Sequence, residues 1–190
     1  MQHRTFQKIY LYFIFILFIP DTGKSQIEQV NLELQFNDRT SLHDCYLVID
    51  KGKTTNHRDR IQFNAQISFT MRTGTKVSVV KRYFPLTDNR NYDGKDPMMW
   101  YIADKIISPP AKPGYDIFNV LPMLSPTSRY NDLKEGDKIL LFSLSVDTQQ
   151  ASELSLFKNE TLTSENISAF NGGDFRIGFT IGDLKQKYFP

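Results

Sequence analysis

Cysteine occurs once in this chain, at Cys45, tryptophan once and histidine three times. A single thiol excludes a disulfide framework and a zinc site built from thiolates. No Gly-x-Ser-x-Gly elbow is present and no motif places a pair of carboxylates, so serine-hydrolase and glycosidase readings have no starting point. No stretch sustains a 3.6-residue apolar period, and no internal repeat is visible. Charge of one sign is also missing beyond residue 25. The 23 basic residues include Arg4, Lys8 and Lys24 and the 21 acidic ones include Asp21, which leaves 20 of each. Without an excess of Lys and Arg there is no electrostatic footprint for nucleic acid or an anionic membrane surface.

Long apolar runs are absent with one exception. His3, Arg4 and Lys8 precede an unbroken apolar stretch from Ile9 to Ile19, which Pro20 ends. Gly23 and Ser25 then put small residues at both specificity positions before Gln26. This is the pattern of a cleaved secretory leader over residues 1–25, and eleven apolar residues are too few to span a bilayer stably. The exported chain, 26–190, is then a single domain, secreted or held at the cell surface, with no membrane span of its own. A lipid anchor needs a cysteine at the cleavage point, and Gln26 stands there.

What is present is period-two alternation. Val30, Leu32, Leu34 and Phe36 alternate with polar residues. Phe63, Ala65, Ile67, Phe69 and Met71 do the same, as do Phe175, Ile177, Phe179 and Ile181. Each reads as a strand with one buried and one wet face, which belongs to antiparallel sheet. Further strands are expected over 45–49, 75–84 and 152–157. Lys138–Val146 is apolar on both sides at first and reads as a central, covered strand. Thr73-Gly74-Thr75 reads as a hairpin turn and Glu135-Gly136-Asp137 as another lead-in. Residues 51–60 and 86–97 read as polar loops. Pro109, Pro110 and Pro113 bar helix or inner strand from 108–114. Eight or nine short strands in this length argue for an all-β, two-sheet antiparallel sandwich.

Few residues suggest chemistry. Gly23-Lys24-Ser25 mimics the end of a phosphate-binding loop, but Phe18 stands where that pattern requires glycine. His43, Asp44 and Cys45 form the one local cluster of catalytic residue types, and on a strand His43 and Cys45 would share a face. The competing reading makes Cys45 a small buried hydrophobe. Asn89, Asn91 and Asp93 before Gly94 resemble the opening of a calcium loop and are the metal candidates. The pattern departs at its first position, Asn89, and its last, Trp100. Trp100 reads as core; Tyr101, Tyr83, Tyr92, Tyr115 and Tyr130 are candidates for stacking platforms under sugar rings. Asn159 and Asn166 open glycosylation sequons, which mark exposed loop.

The second half carries a composite pattern. Trp100 is followed by Ile107-Ser108-Pro109, by Ala111-Lys112-Pro113-Gly114-Tyr115-Asp116-Ile117, and by the apolar strand Leu140-Leu141-Phe142-Ser143-Leu144. Ser155-Leu156-Phe157-Lys158-Asn159, Gly172-Gly173-Asp174-Phe175 and Phe179-Thr180 continue it toward Tyr188. This resembles the cohesin-like β-sandwich domain found at the N-terminus of large secreted, adhesin-type proteins of Gram-negative gliding bacteria. The resemblance implies a jelly-roll sandwich of the cohesin and carbohydrate-binding-module type, exported and non-catalytic. It brings no ligand and no functional residues. The expectation is an interaction or adhesion module without cofactor, its partner an extracellular protein. The alternative is a carbohydrate-binding module that grips a polysaccharide through exposed aromatics.

Overall fold

A computed structural model describes residues 26–54, 56, 58–82, 99–123, 130, 132–147, 153–157, 175–182 and 184–187. Ten strands account for most of them: β1 (Ile27–Asn37), β2 (Leu42–Gly52), β3 (Gln62–Arg72), β4 (Val77–Arg82), β5 (Met99–Ile106), β6 (Tyr115–Met123), β7 (Lys138–Val146), β8 (Ser155–Leu156), β9 (Gly178–Ile181) and β10 (Leu184–Lys187). All pairings are antiparallel. One sheet runs β1-β2-β7-β4 and the other β10-β9-β3-β6-β5, with β8 paired to β3 alongside β9. The expected two-sheet sandwich is what the chain forms.

Alternation places the core. Ala65, Ile67, Phe69 and Met71 of β3 face Leu32 of β1, Leu47 and Ile49 of β2, and Phe142 and Leu144 of β7 in one apolar cluster. Phe142 sits at its centre, edge-on to Phe69 at 5.9 Å and tilted against Trp100 at 4.9 Å. Such ring pairs add to the burial of their own area. Lys138–Val146 is, as its sequence suggests, an inner strand between β2 and β4.

The strands that the alternation does not reveal have local causes. On β6, Phe118 and Val120 enter the main core while Ile117 joins Phe157, Phe175 and Ile106 on the opposite face of the sheet. A strand covered on both faces shows an apolar run, not alternation. On β5 the register shifts between Ile102 and Asp104, leaving Ala103 as an extra residue that interrupts the period. Residues 175–177 precede the β9 ladder, so Phe175 leaves the face shared by Ile177, Phe179 and Ile181. The 51–60 stretch is shorter as a loop than expected: β2 runs on to Gly52 and a 3-10 turn forms at Arg58–Arg60. Polar ties hold these margins. Thr54 exchanges hydrogen bonds with the Leu133 backbone at 2.8 Å, and the buried Tyr130 hydroxyl donates to Gln62 Oε1.

Candidate functional site

β4 and β5 are the outer strands of their respective sheets, so the sandwich is open along one side between them. Each carries a bulge, at Val80 and at Ala103, which spoils the flat edge that invites strand-to-strand aggregation. Between these edges lies a cleft of about 560 Å³. Its apolar wall is Val77, Ile102 and Phe118; Lys76, Lys105 and Asp147 supply charge.

Asp116 organises the end of the cleft. Its side chain is fully buried and meets Lys105 Nζ at 2.8 Å. The backbone N–H groups of Gly74 and Ser108 donate to its two oxygens at 3.4 and 3.3 Å. One carboxylate thus ties the β3–β4 turn, strand β5 and the 107–114 loop to β6. The same Lys105 ammonium lies 4.9 Å over the Phe118 ring. Burial pushes the Asp116 carboxyl up, but hydrogen bonds from Lys105, Thr73 and Gly74 and the Lys105 charge outweigh it and hold it below its ordinary 3.8. A carboxyl held low in the fold stabilises it above the ordinary value, and that contribution is lost as pH falls through the lowered one. We therefore expect the melting temperature to drop below about pH 4 with a component that Asp116→Asn abolishes. Melting curves of both chains against pH check this; equal acid slopes would place the step on another group.

The His43, Asp44 and Cys45 cluster is taken apart by the fold. Cys45 is wholly inside the main core, where burial pushes its thiol far up and suppresses the thiolate. His43 is buried with its ring 5.0 Å from Phe36. Asp44 points to the other face of β2 and accepts hydrogen bonds from Asn37 at 2.9 Å, from Tyr46 at 3.5 Å and from Ser143. The arrangement offers these three no common reacting atom.

The aromatic candidates also separate. Trp100 and Tyr130 are core. Tyr115 is half-buried beneath Lys112, and Tyr101 is exposed on β5. Among the described residues the exposed aromatics are Tyr101 and Phe36, which stand on different sheets. Asn89, Asn91, Asp93, Tyr83, Tyr92, Asn159 and Asn166 lie outside the described residues. Among the described residues no three of His, Cys, Asp and Glu group to hold a metal, and no helix is long and apolar enough to cross a membrane.

No sequence motif marks the cleft. Its walls come from β4, β5, β6 and the end of β7, and only the fold brings them together. Comparison with protein-family models, with curated proteins and with solved structures finds no match to this chain.

Proposed function

We propose that the exported chain is a non-catalytic interaction module, secreted or held at the cell surface, and that its contact surface is the open side formed by β4, β5 and β6. One observation carries this reading. Of the five exposed large apolar side chains among the described residues, Val80, Tyr101, Ile107 and Met123 belong to these strands or directly follow β5. We take these strands as the contact surface because four of the five exposed apolar side chains sit on them or next to them. The cleft between β4 and β5 adds polar recognition groups to the same side. Burial of Cys45 and His43 in the core supports the non-catalytic part of the reading. The likeness to cohesin-like, jelly-roll domains of adhesin-type proteins agrees with it.

A protein partner is favoured over a polysaccharide, because the described surface presents two separated exposed rings and no row of them. The exported protein, immobilised, should bind a component of the cell envelope saturably. Tyr101→Asp with Val80→Asp should weaken that binding at least tenfold, and Phe36→Asp should leave it unchanged. Equal losses from both changes would mean that the β4–β6 side is not the contact surface. A glycan array run in parallel separates the alternatives: saturable binding to one glycan class would establish the carbohydrate reading instead.

A further inference from the structure

Cleavage after Ser25 makes a glutamine the first residue of the exported chain, and the fold holds the residues next to it firmly. Gln26 stands one position ahead of β1 and is half-buried. Its carbonyl oxygen lies so close over Gly52 that a Cβ there would come within 2.2 Å of it. Ile27, the next residue, is 1% exposed, pairs with Gly52 and belongs to the main core. A single residue thus separates the new amino terminus from the packed interior. The Gln26 side-chain carbonyl carbon is three bonds from its own α-carbon, so the ring closure needs no other residue.

We infer that Gln26 is a modification site, where the amino end of the exported chain closes to pyroglutamate. This rests on the proposed export of the chain. The α-amino nitrogen attacks the Gln26 side-chain carbonyl carbon and forms the new C–N bond of a five-membered lactam. The bond from that carbon to the amide nitrogen breaks, and the nitrogen leaves as ammonia with the amine's proton. Nothing is oxidised or reduced, and no co-reactant enters. The product has a neutral end beside Lys51, whose ammonium is already paired with Glu28 at 2.6 Å. It also has no free amine for an aminopeptidase. That matters here because removal of only two residues would take Ile27 out of the core.

The test uses the full chain, residues 1–190, produced through a bacterial secretory route and recovered outside the cytoplasm. Intact mass and fragment spectra of the amino-terminal peptide are read after prolonged incubation at neutral pH. The expected product is 26–190 lighter by about 17 Da, one ammonia, and refractory to amino-terminal sequencing. The Gln26→Ala chain should keep a free, sequenceable amine and the same melting temperature. A chain that retains a free Gln26 overturns the proposal and leaves export intact, as does a chain that starts at another residue. A retained leader overturns both.

Discussion

Phe142→Ala is expected to lower the unfolding free energy by about 3–5 kcal/mol, the range for emptying a large aromatic site in a packed core. Phe142 has no exposed surface and touches both Phe69 and Trp100, so its removal strips two ring contacts along with its own burial. The neighbouring main chain is ladder-bonded to β2 and β4 on both sides and has little freedom to collapse into the space. Phe179→Ala should cost a similar amount, since Phe179 is 1% exposed and belongs to the same cluster from the opposite sheet. Urea unfolding of the two variants checks this. A loss below about 1 kcal/mol at both positions would mean that the inward faces of these strands have been misassigned.

The second large effect is expected at Gly52. Its φ is +100°, and a Cβ there would sit 2.2 Å from the Gln26 carbonyl oxygen and 2.8 Å from the Glu28 nitrogen. Both contacts are backbone, so the head of β1 must be displaced, and with it Ile27. Gly52→Ala should cost about 3 kcal/mol, combining backbone strain with this displacement. Gly136 is the control, because its φ is +87° but nothing lies within 4 Å of an added Cβ. Gly136→Ala should cost roughly 1–2 kcal/mol from the left-handed backbone alone. If the two variants unfold at the same urea concentration, crowding under Gln26 is not what requires glycine.

β1 and β3 were legible because only one of their faces is apolar, and β7 because its continuous apolar run marks an inner strand. All three fall within a few residues of where the pattern puts them. β5 and β6 were not legible, since a bulge interrupts one and a second apolar cluster covers the other. Trp100 in the core followed from residue type alone, whereas Thr73-Gly74-Thr75, read as a hairpin, is a turn that carries the chain from one sheet to the other, since β3 and β4 do not pair. The cleft is a different matter. Lys105 and Asp147 carry no spacing that announces a site, and they line one cleft only because β4 and β5 both end their sheets; Asp116 reaches Lys105 through the β5–β6 pairing. Of the two readings of the His43 to Cys45 cluster, the fold bears out the one that makes Cys45 a small buried hydrophobe. Adjacent residues on a strand point to opposite faces, so proximity in sequence separates Asp44 from its neighbours.

The pairing of β2 with β7 also sets when this chain is able to fold. β1 and β2 form a local hairpin, but His43 finds its partner only at Leu144, and β4 joins the sheet only through β7. A chain that emerges from its amino end therefore carries an unfinished first sheet until three quarters of it has appeared. Contacts so distant in sequence close slowly. During that interval β2 offers an unpaired edge, and pairing with a neighbouring chain competes with the arrival of β7.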